Sequence, residues 1–337
     1  MSKRAEIFLD YQNLIDGPPK RPQDLYGQAC TNDVATVSAW RDRWISNIRA
    51  NHKKFGSFKE FGIGKLWGKH QYLPGIVVGS GPSLKGNILG LKEAKGIPVV
   101  SCLHNFHFME DSGIKVDYYV SLDAGDVVLE EVSEGGARTA DEYWALTKDR
   151  TLVAYIGSSP ELFAKWRGPV FLFNCPVPDD VVTAAVDELE HFHTHLSTGG
   201  NVLGAATYFA KGILGCGTIA FMGADFSFSY LNKFHGWDSK YDKDLGFCVP
   251  LYDVYGVKVK SWQSYANFKA WFDWVCSSVP GNWINCTEGG CLGSYAEGNM
   301  AQVRPMDLKD FLAMLQMNEH TRVQCEDPAT TERKILF

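Results

Sequence analysis

The sequence lacks the features that direct a protein to a membrane or to nucleic acid. No stretch reaches the roughly 18 apolar residues that a membrane-spanning helix needs, and the amino-terminal "MSKRAEIFLDYQNL" has no uninterrupted apolar core of the signal-peptide kind. The net charge is −6 with both signs intermixed, so there is no overall basic field for a phosphate backbone. We therefore expect a cytoplasmic protein without a membrane span, and nucleic acid is not indicated as a partner.

Cysteine is present, but without a metal-binding or disulfide pattern. The nine cysteines are scattered and include no CxxC pair. Cys286 and Cys291 flank "TEGG", yet no second pair of ligands is placed to complete a structural zinc site. We expect neither disulfides nor zinc.

Short β-rich runs dominate the chain from residue 74 onward. Each ends in small or polar residues, and most are followed by a helical pattern; the runs are 75–78, 97–102, 117–122, 151–156, 169–173, 218–222 and 283–286. This alternation predicts an α/β fold with a Rossmann-like, mostly parallel sheet and helices on both faces. Apolar residues at helical spacing within 32–55 predict an N-terminal helical arm, and "DLKDFLAMLQ" predicts a short C-terminal helix.

A glycine-rich turn follows the first of these runs. Its residues are Gly79, Ser80, Gly81, Pro82 and Ser83, and proline suits the first position of a helix. Such a turn can present backbone N–H groups and the positive end of a helix dipole to an anion. It is neither a Walker A loop nor a dinucleotide fingerprint, since the lysine of the one and the third glycine of the other are missing. A tight turn that binds nothing is the alternative.

The start of a second predicted helix also consists of residues with small or absent side chains. Thr198 is a suitable N-cap in "STGGNVLGAATYF", and Gly199 and Gly200 follow it. Two such starts in one parallel sheet indicate a nucleotide-sized ligand with a phosphate and a sugar. Close packing of a helix on the sheet is the alternative.

Acidic residues and one histidine follow the strand-like runs. Ligands of open parallel sheets lie beyond the carboxyl ends of the strands, where Asp123, Asp126 and Asp225 are expected. His235 lies ten residues beyond Asp225 and is our candidate general base, with Asp225 as a second catalytic candidate. The alternatives are a surface histidine without a role and an aspartate that caps a turn. Asp123, Asp126 and Asp225 could instead hold Mg²⁺ through their carboxylate oxygens.

The order of these motifs resembles that of a known family. "VVGSGPSL", "KVDYYVSLD", "STGGNVLGAATYFAKGILGCGTIAFMGADFSFS" and "WINCTEGG" are similar to successive segments of the MptE-like and Maf family, over roughly residues 74–292. That family comprises archaeal hydroxymethyl-dihydropterin diphosphokinases and motility accessory factors that glycosylate flagellin. Its fold resembles that of bacterial sialyltransferases that use CMP-sialic acid.

The resemblance implies a set of nucleotide contacts. They are Gly79, Ser80, Gly81, Pro82 and Ser83 at the phosphates, Asn105 near the base or ribose, Asp123 at the nucleotide, and Thr198, Gly199 and Gly200 at the cytidine. Asp225 matches the aspartate of a Gly-x-Asp-Phe motif. At Asp123 the related sialyltransferases have an asparagine, and they have Thr-Ser-Gly at Thr198-Gly199-Gly200. The sequence also departs at Asn105, since Leu103 and His104 separate it from Cys102, whereas relatives often have Cys-Asn directly.

The motifs and the resemblance together leave three alternative functions. The first is a glycosyltransferase that takes a nucleotide-activated sugar of the CMP type to an unknown acceptor. The second is a Mg²⁺-dependent hydroxymethyl-dihydropterin-type diphosphokinase that uses ATP, with Asp123 and Asp126 as metal ligands; no other cofactor is expected. The third is a non-catalytic nucleotide-binding module. We divide the chain into an N-terminal helical accessory region (1–73), a nucleotide-binding transferase domain (74–305) and a C-terminal helix and tail (306–337).

Overall fold

An eight-stranded sheet forms the centre of the computed structural model, which describes residues 23–177, 179–192, 194–228, 246–293 and 303–325. Its strands are β1 (Pro74–Val78), β2 (Val99–Cys102), β3 (Tyr118–Ser121), β4 (Thr151–Tyr155), β5 (Val170–Phe173), β6 (Thr218–Met222), β9 (Asn282–Asn285) and β10 (Val303–Pro305). A separate antiparallel hairpin consists of β7 (Val249–Tyr252) and β8 (Lys258–Ser261). The sheet order is β10-β9-β6-β1-β2-β3-β4-β5, and every pairing in it is parallel.

Helices connect these strands. They are α1 (Gln23–Phe55), α2 (Leu84–Asn87), α3 (Phe106–Asp111), α4 (Val127–Ser133), α5 (Ala140–Leu146), α6 (Pro160–Lys165), α7 (Asp180–Asp187), α8 (Val202–Tyr208), α9 (Gln263–Ser278) and α10 (Leu308–Cys325). A π-helical turn, Phe209–Ile213, extends α8. Short 3₁₀ turns include Leu103–Asn105, directly after β2. Among the described residues, no helix is both long and apolar enough to cross a membrane.

The predicted fold class is confirmed. Each of the seven β-rich runs forms a strand, and the central strands are buried along nearly their whole length, as expected for a parallel sheet covered on both faces. Sequence reasoning missed β7, β8 and β10. The hairpin strands are partly exposed and β10 has three residues at the edge of the sheet, so none of them forms a continuous apolar run.

Two buried asparagines tie α1 to the carboxyl edge of the sheet. The Nδ2 group of Asn47 donates to the carbonyl oxygens of Ala124 and Gly157, each at 3.0 Å. One turn later, Asn51 donates to the carbonyls of Ile156 and Ser158. The helix therefore fixes the loops that follow β3 and β4. The domain boundaries stay predictions.

The direction of strand addition reverses between β1 and β6. Strands β2 to β5 lie on one side of β1, whereas β6, β9 and β10 lie on the other. In open α/β sheets, the crevice beyond the carboxyl ends of the strands at such a switch point is the usual ligand site. The glycine-rich turn after β1 and the segment after β6 meet there.

Candidate functional site

A pocket of about 250 Å³ lies at this switch point. Its lining comes from the turn after β1 (79–82), the ends of β2 and β3, the segment after β6 (223–227), the start of α8 (201–203) and the side of α9. The segments predicted to follow β1, β3 and β6 therefore line one crevice. Two polar walls border the pocket. The glycine-loop wall consists of residues 79–82 and 223–227 with the adjoining Ser83, and the histidine wall consists of His104, Asp123 and Glu131.

The backbone amides of the glycine-loop wall are largely engaged within the protein. The N–H of Gly79 donates to the Met222 carbonyl at 2.8 Å and that of Gly81 to the Gly223 carbonyl at 2.9 Å. Ser83 donates its N–H to Asp225 Oδ1 at 3.2 Å. The expectation that these amides stand bare in the crevice is wrong, because loop–loop hydrogen bonds and a carboxylate occupy them.

Close approach explains why position 81 is glycine. A Cβ there would lie 1.9 Å from Asp225 Oδ2. A Cβ at Gly79 would lie 2.5 Å from the carbonyl oxygen of Gly223. The two glycines thus allow the turn after β1 to pack directly against the segment after β6.

Asp225 is held firmly in the pocket lining. Its side chain accepts from Ser83 N–H and, through Oδ2, from Ser83 Oγ at 2.7 Å, and the residue is 5% exposed. Burial raises the pKa of this carboxyl to about 7, while the Ser83 hydrogen bonds act in the opposite direction. Gly290 packs against its backbone, and Cys291 N–H donates to its carbonyl at 2.8 Å. A fixed carboxyl that titrates near neutrality can take up or release a proton during a reaction.

The histidine wall gathers three side chains from three elements. His104 lies in the turn after β2, Asp123 follows β3, and Glu131 lies in α4. His104 Nδ1 is 2.7 Å from Glu131 Oε1. Burial, together with the nearby charge of Glu131, raises the pKa of Asp123 to about 6, while His104 acts in the opposite direction. Sequence reasoning missed His104 and Glu131 as site residues.

Asn105 stands behind the pocket rather than in its lining. It has no exposed surface, and its Nδ2 donates to the Gly79 carbonyl at 3.0 Å and to Ser101 Oγ at 3.1 Å. The asparagine therefore links the end of β2 to the turn after β1.

The Thr198–Gly200 turn also lies outside the lining. The N-cap of α8 is Asn201, whose Oδ1 accepts from Gly204 N–H at 2.9 Å, so the prediction of Thr198 as the cap is wrong. Thr198 Oγ1 instead accepts from Gly200 N–H at 3.1 Å. Gly199 has a φ of +56°, and a Cβ there would lie 2.4 Å from the Trp271 ring. Close packing explains this glycine, while Asn201 is the residue of the segment that reaches the pocket.

The proposed metal ligands are not brought together. Asp126 is exposed, and its carboxylate accepts from Arg43 and from Ser159 Oγ, each at 2.7 Å, whereas Asp123 lines the pocket. Within the described residues, no three His, Cys, Asp or Glu side chains form a cluster that could hold a metal ion. His235 lies outside the described residues.

A family comparison accounts for the order of these elements. A family model described as "6-hydroxymethylpterin diphosphokinase MptE-like" matches residues 43–230, which is more than half of the chain. The chain belongs to the MptE-like family. This confirms the resemblance seen in the sequence, and the matched region runs from α1 past β6 to include Asp225 and the histidine wall.

Among solved structures, the MptE-like chain is similar to a Maf glycosyltransferase from Magnetospirillum magneticum AMB-1. The TM-score is 0.50 at 17% identity, and the match covers 71% of this chain and 34% of the other. The chain thus spans about a third of that protein's length, and the likeness shows the fold alone. No curated protein matches the sequence.

Apart from Asn201, the rest of the pocket lining in this MptE-like chain is largely apolar and aromatic. Tyr265 and Phe268 of α9, with ring centroids 6.2 Å apart, form an aromatic side. Burial raises the pKa of the Cys102 thiol to about 12, so it stays protonated. Among the described residues of the lining, three are carboxylic acids and none is lysine or arginine.

Proposed function

We propose that the protein is a nucleotide-dependent transferase that moves a glycosyl group from a nucleotide-activated sugar, of the CMP type, to an acceptor hydroxyl. The observation that carries this proposal is Asp225, a buried carboxyl with a pKa of about 7 in a pocket at the switch point of the sheet. Membership of the MptE-like family and a fold shared with a glycosyltransferase support it.

In this proposal Asp225 accepts the proton of the acceptor hydroxyl. The acceptor oxygen forms a bond to the anomeric carbon of the sugar. The bond from that carbon to the donor's phosphate oxygen breaks, and its electron pair stays on the phosphate. A general base with a pKa near the working pH is largely unprotonated before the reaction and still binds the acceptor's proton well. His235 stays a candidate for the same task.

The donor would lie along the glycine-loop wall. The turn at 79–82 gives it a surface without bulky side chains, and Asp123 lines the same pocket. Asp123 and the Thr198–Gly200 turn, which precedes the pocket-lining Asn201, stay our proposed contacts to its sugar and base. Asn105 would act by fixing the turn after β1. The faces of Tyr265 and Phe268 suit stacking on a planar base, which contributes about 1–3 kcal/mol per base in known aromatic platforms.

A Mg²⁺-dependent diphosphokinase is the second candidate. Asp123, Glu131 and Asp225 line one pocket without forming a three-residue metal cluster, so substrate phosphates would have to supply the remaining oxygen ligands that Mg²⁺ prefers. Asp123 would then be a metal ligand, whereas Asp126 is engaged elsewhere by Arg43 and Ser159. The description of the family model favours this activity.

Ligand-induced stabilisation separates these functions. The protein is titrated with CMP, CDP, UDP and ATP, each with and without Mg²⁺, while the thermal midpoint is followed. A ligand at 100 times its Kd stabilises the fold by about 2.7 kcal/mol. Stabilisation by CMP without metal is the expected result. Stabilisation that requires ATP and Mg²⁺ together would replace the glycosyltransferase with the diphosphokinase, and binding without any donor turnover would indicate a non-catalytic module.

A further inference from the structure

The charge of the pocket poses a problem for any phosphate-bearing donor. Its described lining contains Asp123, Glu131 and Asp225 but no lysine or arginine. The amides of Gly79, Gly81 and Ser83 already donate to acceptors of the protein. A phosphate bound there must find a positively charged partner, because an anion removed from water and placed among carboxylates is strongly destabilised.

His104 is the residue in the described lining that can carry a positive charge. It stands at the carboxyl end of β2, the strand next to β1, so its backbone lies roughly 5 Å to the side of the turn at 79–82. The next residue, Asn105, is hydrogen-bonded to the Gly79 carbonyl at 3.0 Å, which fixes the distance between the two segments. His104 is thus anchored beside the surface on which the donor would lie.

Glu131 orients this imidazole. The 2.7 Å contact joins Glu131 Oε1 to His104 Nδ1, and the side chains are 15% and 33% exposed, respectively. A carboxylate on one ring nitrogen sets the direction of the ring and stabilises the imidazolium that forms when the other nitrogen holds a proton. Glu131 would otherwise be a poorly hydrated charge in α4, which makes the pairing with His104 the physical reason for its position.

We propose that His104, oriented by Glu131, contacts a phosphate group of the donor and stabilises the negative charge that develops on it as the nucleotide leaves. This inference rests on the proposed function.

The test compares nucleotides with their nucleosides. Affinities of CMP and cytidine, UDP and uridine, and ATP and adenosine are measured by calorimetry for the wild type and for His104→Gln, whose amide cannot become a cation. For whichever pair binds the wild type, we expect the nucleotide affinity of the variant to fall roughly ten- to a hundredfold, the usual worth of a charge-assisted hydrogen bond, while nucleoside affinity is unchanged.

A second pair of variants tests whether Glu131 positions the His104 ring. Glu131→Ala removes the acceptor for Nδ1, whereas Glu131→Gln keeps an oxygen there. We expect the nucleotide-to-nucleoside affinity ratio to fall more in the alanine variant than in the glutamine variant. The matched control is His191→Gln, since His191 pairs with Asp187 at 3.6 Å on an exposed surface outside the pocket; this variant should bind as the wild type does.

Each outcome decides the inference. An unchanged nucleotide affinity in His104→Gln overturns it and leaves the proposed function standing, and so does an equal loss for nucleotide and nucleoside, which would place His104 at the base. If no nucleotide of the panel binds the wild type, the proposed function and this inference both fail. If circular dichroism shows that the His104→Gln variant is unfolded, the same nucleotide and nucleoside affinities are measured for His104→Asn, and they decide between the outcomes above.

Discussion

The two polar walls of the pocket are built in different ways. In the glycine-loop wall, backbone meets backbone, and Asp225 is pinned by both donors of Ser83 and is 5% exposed. In the histidine wall, side chains from three separate elements meet, and His104 and Glu131 retain 33% and 15% exposure. The first wall is rigid because glycines let the loops touch, whereas the second depends on side-chain pairing. This difference decides which substitutions damage the fold and which damage only the chemistry.

Replacement of the Asp225 carboxyl should have the largest effect on activity. Asp225→Asn keeps an oxygen that can accept from Ser83 but removes the proton acceptor, so we expect donor turnover to fall by roughly 10² to 10⁴. Ligand-induced thermal shifts should persist. Asp187→Asn, at an exposed carboxylate outside the pocket, is the control. Equal donor turnover in Asp225→Asn and Asp187→Asn would show that Asp225 takes no part in the reaction.

A methyl group at position 81 should disrupt the glycine-loop wall itself. Because a Cβ there meets Asp225 Oδ2 and the Gly223 carbonyl, Gly81→Ala should lower the free energy of unfolding by about 3 kcal/mol and abolish nucleotide binding. A side chain at position 81 therefore displaces Asp225 before it can meet any ligand. Gly86→Ala, where a Cβ meets nothing within 4 Å, is the control in urea unfolding, and similar losses in both would contradict the packing argument.

Loss of a support behind the histidine wall should have a smaller effect. Asn47→Ala leaves the Ala124 and Gly157 carbonyls without their donor, which should cost about 2 kcal/mol in the free energy of unfolding. Since Ala124 follows Asp123, donor turnover should fall as well, while the pKa of Asp225 stays near 7. A variant as stable as the wild type in denaturant would show that α1 does not hold this loop.

The raised pKa of Asp225 predicts a dependence of stability on pH. Between about pH 4 and 7 the folded protein retains a proton that the unfolded chain releases, so stability falls as pH rises, by at most about 1.4 kcal/mol per pH unit from this group. Asp225→Asn lacks that proton. The stability of the variant relative to the wild type should therefore increase from pH 4 to 7, and parallel curves in urea unfolding would refute the shift.

The smallest effect is expected at Asp126. Asp126→Asn weakens its exposed contact with Arg43, and such pairs contribute about 1 kcal/mol or less. We expect nucleotide binding, with or without Mg²⁺, to stay unchanged. If the wild type shows a Mg²⁺-dependent thermal shift and Asp126→Asn abolishes it, Asp126 is a metal ligand after all.

The sheet could be predicted from sequence because burial on both faces leaves continuous apolar runs. Glycines and an aspartate after β1 and β6 also marked the switch point. The histidine wall could not be found in this way. Its members come together through the positions of β2, β3 and α4, and Glu131 stands in an ordinary helical charge pattern. The one local signal was the position of His104, directly before Asn105 in the turn that follows β2.

The glycines at 199 and 200 show that one sequence pattern can have two physical explanations. Their sequence pattern indicated a second anion site. A helix start with small side chains, however, leaves room either for a ligand or for the aromatic ring of a neighbouring residue. Trp271, more than 70 positions later in α9, fills the space beside Gly199, and Phe268 of the same helix lies beside Gly200. Sequence spacing alone could not distinguish the two, and the cap likewise moved from Thr198 to Asn201 because the glycines form a turn of their own.

The titration of Asp225 by carboxyl ¹³C NMR, with and without bound nucleotide, tests the central claim most directly. We expect a midpoint of about 7 in the free protein and a higher one in the complex, because a phosphate beside the carboxyl disfavours its charged form. A midpoint near 4 that the nucleotide leaves unmoved would contradict both the role of Asp225 and the place of the donor.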